Sequence, residues 1–210
     1  MAIIRGRKVR IRELAREDVD KMQLWGQHKD PLFFHYNFPT LTSKEADQWF
    51  HIKTAKFKKK CYVIVNHDEL VVGYIAIRDI RWLKRESELG IVIDPSHINS
   101  GYGTEGISLF LDYYFNQLRM LAINLRTAKY NKRAIKCYEN CGFTMVKEVL
   151  EEFEDQFNKI FYNPLYGHLN KHFQKIGTKQ MTAYLHMRIT KEEYIQKTNS
   201  LSTTIISECE

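Results

Sequence analysis

The sequence predicts one α/β domain, a single unit with a mixed, mostly antiparallel sheet flanked by helices. Three observations predict it. Two β-rich runs, Cys61 to Val65 and Leu70 to Ile77, bracket Asn66-His67-Asp68-Glu69 as a hairpin does, which supplies antiparallel pairing. Farther on, Glu88 to Ile93, a helix-like stretch from Gly101, and Ala122 to Ala128 form a strand–helix–strand unit, the source of parallel pairing. A length of 210 residues, 44% hydrophobic and 27% charged, is the size and mixture of one globular domain with a real core.

The elements follow in order. Val9-Arg10-Ile11-Arg12 alternates apolar and charged residues, as a half-exposed strand does. Asp18 is expected to cap a following helix in which Val19, Met22 and Trp25 share a face. Asp30 to Thr40 reads as a loop crowded with Phe33, Phe34, His35, Tyr36 and Phe38. Thr42-Ser43-Lys44-Glu45 is a capping box that opens a helix carrying Ala46, Trp49, Phe50 and Lys53 at helical spacing. The helix from Gly101 buries a broad face of Ile107, Leu109, Phe110, Leu111, Tyr114 and Leu118. Asn131 to Cys141 reads as a helix stopped by Gly142, where a left-handed cap suits glycine.

Phe143 to Phe153 and Thr182 to Ile189 read as the last two strands. Between them, over about 156–178, lies an insertion. Asn163-Pro164 is a cap followed by proline at the first helical position. Leu165, Leu169, Phe173 and Ile176 then recur at three- to four-residue steps until Gly177. This predicts an extra amphipathic helix, covering the sheet or forming a partner surface, and it leaves a homodimer open. The domain is expected to span 1–193, with a polar, frayed tail over 194–210.

Composition excludes a disordered chain, a collagen-like repeat and a disulfide-stapled scaffold. No apolar run approaches the ~20 residues of a membrane helix, and the apolar stretch at the start is too short for a secretory signal. A cytoplasmic protein is expected, with no membrane partner. Cys61, Cys137, Cys141 and Cys209 sit at no zinc-ligand spacing and read as reduced, packed thiols. His168 and His172 are four apart, but Leu169 stands between them where a zinc protease needs glutamate, and no third ligand accompanies them. They read as solvated histidines, and no metal is expected.

The net charge of +7, from 32 basic and 25 acidic residues, favours anionic partners: nucleic acid, a membrane surface or a phosphate-bearing ligand. The longest basic run, Lys56-Phe57-Lys58-Lys59-Lys60, precedes a strand and reads as a solvated guard of its end. No zinc finger, RRM signature or basic region with heptads is present, so nucleic acid is not the expected partner.

Gly101-Tyr102-Gly103-Thr104-Glu105-Gly106 matches G-x-G-x-x-G. A dinucleotide fold is excluded by context, because its first glycine follows the strand directly and an acid lies ~20 residues on. Here Pro95 to Ser100 intervene, and the later segment, Leu125 to Lys129, contains no acid. A kinase loop is excluded by the lack of H-R-D and D-F-G. What remains is phosphate binding at a glycine-rich helix start, through exposed N–H groups and the helix dipole, or tight packing of that helix.

Three stretches then point one way together: Glu88-Leu89-Gly90-Ile91-Val92-Ile93-Asp94-Pro95, the glycine motif, and Asn131-Lys132-Arg133-Ala134-Ile135-Lys136-Cys137-Tyr138-Glu139-Asn140-Cys141-Gly142-Phe143. The last is similar to the pattern N-x-x-A-x-x-x-Y-E-x-x-G-F. On these residues, and on the order of elements from about Val9 to Phe153, the chain resembles the GNAT acetyltransferase superfamily, in its branch of ribosomal-protein and spermidine N-acetyltransferases.

The resemblance implies acetyl-CoA as co-substrate. It implies that Ile91 and Ile93 offer backbone bonds to the pantetheine arm, that Gly101, Gly103 and Thr104 hold the pyrophosphate, and that Asn131 contacts the arm. It implies that Tyr138 protonates the departing thiolate, which suits a phenol of pKa ~10 facing a thiol of pKa ~8.5. Glu88 takes the place of a base or water-ordering acid. The other readings are a Tyr138 that packs beside Phe143 and a Glu88 that is a solvated strand residue.

One departure stands at Ile98, where the family carries Gln or Arg; a missing charge-assisted bond there costs ~1.5–3 kcal/mol, about ten- to a hundredfold in affinity. The basic excess, including Lys132 and Arg133, can offset it. No cysteine has a base and orienter beside it, so direct attack by a primary amine is expected. The acceptor stays open among a polyamine, a protein N-terminus and an amino sugar. Glu151, Glu152, Glu154 and Asp155 are the candidate acids for a polyamine pocket. A non-catalytic CoA-binding or interaction module is the alternative.

Overall fold

A computed structural model describes residues 3–55 and 57–207, with side chains through residue 200. Cys209 and Lys56 of the basic run therefore lie outside the described residues. The strands are β1 (Ile4–Arg5), β2 (Val9–Glu13), β3 (Lys60–Asn66), β4 (Val71–Arg81), β5 (Glu86–Ile93), β6 (Ala122–Ala128), β7 (Thr144–Glu152), β8 (Phe173–Ile176) and β9 (Lys179–Thr190). The helices are α1 (Arg16–Met22), α2 (Ser43–Lys53), α3 (Tyr102–Asp112), α4 (Lys132–Cys141) and α5 (Lys191–Ser207). The sheet runs β1-β2-β3-β4-β5-β6-β9-β7, with β8 along the start of β9. Among the described residues its pairs are antiparallel except β5–β6.

Alternation along the strands sends side chains to two layers. Ile75, Ile77, Leu89 and Ile123 join Ile107, Phe110 and Leu111 of α3 in one core. Val63, Val65 and Val71 join Val19, Met22 and Ala46 of α1 and α2 in another, against which Trp49, Tyr74 and Val92 pack. A third, smaller cluster joins Leu32 to Phe153, Ile160 and Leu169, so the aromatic segment after Asp30 rests on the insertion.

Thr42 caps α2, accepting from Glu45 N, as the sequence predicts. Asp18 is a correction. Ala15 is the residue before α1, and Asp18 reaches back from the helix interior to accept the Ala15 N–H at 2.9 Å. Its fully buried carboxylate also takes two bonds from Arg12, at 2.5 and 2.7 Å.

The inserted helix is a second correction. Pro164–His172 forms 3-10 turns, and Phe173–Ile176 is strand β8. Asn163 does cap, accepting from Leu165 N at 3.0 Å. However, Leu165 is 78% exposed while Leu169 is buried, so the apolar spacing does not bury one face. Gly177, at φ +59°, turns the β8–β9 hairpin rather than ending a helix.

The frayed tail is a third correction, because α5 begins at Lys191. Glu193 accepts from Thr190 N at 2.7 Å and donates its own N–H to the Thr190 hydroxyl at 3.2 Å, a reciprocal cap hidden in polar composition. Tyr194 packs on Phe115, ring centroids 5.2 Å apart, and fastens the helix to the domain.

Candidate functional site

The site begins where β5 and β6 part. They pair only at Glu86–Ala122, Ser87–Ile123 and Glu88–Asn124. Beyond that, β5 stays with β4 to Ile93 and β6 stays with β9 to Ala128. Leu89–Ile93 therefore keeps one backbone edge with no β6 partner. At the closed end, the buried Tyr114 hydroxyl donates to the Ala122 carbonyl at 2.8 Å and accepts from Ser87 at 2.8 Å, pinning both strands.

The fork opens into a cleft of about 770 Å³ that reaches both faces of the sheet. Its first side is built around the start of α3. Gly101 holds a left-handed φ of +82°, which a side chain would strain. A Cβ at Gly103 would stand 3.5 Å from Ile93, so the helix start lies close on the strand. Asp94 fixes the turn before it, accepting from Gly26 N at 3.0 Å and Ser96 N at 2.9 Å. Ile98 does line this side. The ammonium of Lys8, bonded to the Ser100 carbonyl at 3.2 Å, brings a cation to the loop from outside the glycine motif.

Ile91, Ile93, Gly101, Gly103, Thr104, Asn131 and Tyr138 all line the cleft. Asn131 caps α4, its side-chain oxygen accepting from Ala134 N at 3.2 Å. Tyr138 lies edge-on to Phe143, centroids 5.9 Å apart, and burial pushes its phenol well above the ordinary value of 10. Cys137, one residue earlier, bonds Thr104 at 3.3 Å; a hydrogen bond with Cys141 holds the Cys137 thiol low and the Cys141 thiol high. Glu88 is not on the cleft wall. Its carboxylate pairs with Arg78, the residue opposite it on β4.

The second side lies on the other face of the sheet, against α2 and the segment Pro31–Tyr36. Trp49 meets Tyr74 edge-on at 5.6 Å, and the Lys53 ammonium sits 5.2 and 5.4 Å from their ring centres. His35 lies tilted against Tyr36, ring centroids 3.9 Å apart, and has a buried Nδ1 without a hydrogen-bond partner. Burial, then the charge of His28, lowers its pKa to about 4, so the ring is neutral at neutral pH.

Three of the four acids named for a polyamine pocket are engaged by the protein's own cations, and the fourth, Asp155, is not on the cleft wall. Arg126 takes Glu151 at 2.6 Å and Glu154 at 2.9 Å, His186 also bonds Glu151 at 2.5 Å, and Lys179 pairs with Glu152. Among the described residues, Glu154 is the one carboxylate on the cleft wall. Lys53 and Arg126 were visible in sequence as a helix position and a strand position, but only the fold turns them into the cleft. Among those residues no group of three or more His, Cys, Asp or Glu side chains could hold a metal ion, and no helix is long and apolar enough to cross a membrane.

The donor-side residues fit acetyl-CoA: an unpaired strand edge for an amide-rich arm and a left-handed glycine at a helix start for phosphates. Comparison with known proteins gives the same reading. The model of the GNAT acetyltransferase domain matches residues 8–144. Spermidine N(1)-acetyltransferase of Vibrio cholerae is 24% identical over 143 residues, covering 68% of this chain and 83% of that protein. Its counterpart in Escherichia coli K12 is 25% identical over 147 residues, 69% of this chain and 77% of that one. The crystal structure of the Vibrio cholerae enzyme in complex with CoA and spermine aligns with TM-score 0.66 and 21% identity, over 89% of this chain and 98% of that chain, and so shares the fold. Forked strands, glycine-led helix and family match agree: the chain belongs to the GNAT acetyltransferases and is an acetyl-CoA-dependent acyltransferase.

Proposed function

We propose that the chain acetylates a primary amine on a small acceptor, by direct attack. The observation that supports this most is the fork, which connects a phosphate-type cradle on one face of the sheet to a separate, aromatic-walled chamber on the other. When bound, acetyl-CoA supplies the activated acetyl group and a thiolate leaving group. The free edge of Ile91 and Ile93 bonds its pantetheine arm, the N–H groups of Gly101, Gly103 and Thr104 receive the pyrophosphate, and Asn131 orients the arm.

Tyr138 holds the proton for the thiolate. A phenol whose pKa is raised by burial stays protonated throughout the working pH range, which is the state an acid needs. Glu88, fixed to Arg78 off the cleft wall, serves as a positioning residue for that arginine. The amine's proton leaves to water in the cleft, because Glu154, the one carboxylate on its wall among the described residues, is held by Arg126.

The test is thiol release from acetyl-CoA against a panel of amines, spermidine included, with Tyr138→Phe beside the wild type. We expect kcat to fall about a hundredfold or more in the variant, with acetyl-CoA affinity changed less than about threefold. Unchanged turnover would remove Tyr138 from the mechanism.

A further inference from the structure

We propose that the acceptor carries an anionic group, and that Lys53 binds it: the chamber takes a small amino-carboxylate with an apolar body, not a polycation. This rests on the reading of the chain as an amine acetyltransferase and names the acceptor class.

Four observations carry it. First, Lys53 projects from the last turn of α2 into the cleft, and among the described residues no carboxylate pairs with it. Its ammonium stands over the faces of Trp49 and Tyr74. Rings attract a cation but leave its hydrogen-bond donors unused. Burial, and after it the charges of Arg78 and Lys59, lower its pKa, so this ammonium lacks the compensation that an anion would give.

Second, Lys53 does not serve the donor's phosphates. It lies on the α2 face of the sheet with Tyr74 and Val92, whereas Ile91, Ile93 and the start of α3 belong to the opposite face. Third, three of the four acids named for a polyamine are committed elsewhere, Glu151 and Glu154 to Arg126 and Glu152 to Lys179, and the fourth, Asp155, lines a separate hollow and not the cleft. A second or third ammonium on the acceptor would meet Lys53 and Lys59, while the one carboxylate on the cleft wall among the described residues, Glu154, is already bonded to Arg126. Fourth, the walls around Lys53 are the rings of Trp49, Tyr74 and Phe38, which suit an apolar body between the amine and its anion.

The experiment compares leucine and phenylalanine with their uncharged amides and with spermidine, using the full chain, for acetylation rate and for equilibrium binding in the presence of CoA. The amides have more free amine at neutral pH, so a preference for the acids runs against intrinsic reactivity. We expect the acids to exceed their amides and spermidine about tenfold or more in kcat/KM. In Lys53→Met this ratio should collapse through KM, with Lys53→Arg restoring most of it and thermal melts confirming that both variants fold.

Equal use of acids and amides, or a preference for spermidine that survives Lys53→Met, overturns the proposal. If the acids bind in a Lys53-dependent way yet no amine is acetylated, the transferase reading fails and the subsite stands. If nothing binds and nothing is acetylated, both fail.

Discussion

The two sides of the cleft are made differently. The side proposed for the donor is largely backbone: a strand edge freed by the fork, a left-handed glycine and a helix start, with Asn131 and Tyr138 supplied by one capped helix. The side proposed for the acceptor is side chain against side chain, drawn from α2, β4, β6, the Pro31–Tyr36 turns and the loop after β7. Backbone geometry needs glycines at fixed spacing, so it is written locally. A wall of side chains from five segments can be rebuilt one residue at a time while the fold stays the same.

If the sides are separable, damage to one should leave the other intact. The largest effect is expected at Asp18, under the acceptor wall. Asp18→Asn leaves Arg12 without its partner and weakens the hold on α1, against which α2 packs. Loss of a buried pair costs about 3 kcal/mol, read by denaturant unfolding, and the acceptor KM should rise while acetyl-CoA affinity holds. A donor affinity that falls in parallel would show the two sides to be one unit. The pH dependence fixes the cause. Burial pushes the Asp18 carboxyl up, but bonds from Arg12 and the Ala15 N–H outweigh it, and its pKa is lowered overall. Its contribution is therefore present above the unfolded value of ~4 and is lost as pH falls through the lower folded value. The gap between wild type and variant should close in acid.

Gly101→Ala makes the complementary cut. Forcing a side chain into a left-handed φ costs ~1–2 kcal/mol, and its Cβ would approach Lys8 Nζ to 3.1 Å. Acetyl-CoA affinity, read by titration, should weaken about tenfold, with acceptor KM unaltered. The smallest effect belongs to Glu88→Gln. With its carboxylate tied to Arg78 off the cleft wall, kcat should change less than about threefold. A loss of about a hundredfold would return Glu88 to the role of base.

What could be read from the sequence follows the same divide. The spacing of Gly101, Gly103 and Gly106 and the run from Asn131 to Phe143 mark a helix start and a capped helix, and those elements lie where the pattern puts them. The insertion deceived because Leu165, Leu169, Phe173 and Ile176 keep helical spacing while tertiary contacts draw Phe173 into the aromatic cluster and set β8 along β9. The final helix escaped because Thr190 and Glu193 make a cap that composition alone does not reveal. Carboxylates 151–154 looked available because their partners, Arg126, His186 and Lys179, are distant in sequence and adjacent only across the sheet.

The Tyr114 pin has a mechanical consequence. The sheet has two panels, β1–β5 and β6–β9, whose ladder seam is three residue pairs, buttressed by the Tyr114 phenol and by the core that both panels share. A seam this short sets the angle between the panels at one line, as the spring of a peg does, while each panel keeps its own hydrogen bonds. The jaws of that peg are the walls between which donor and acceptor must meet.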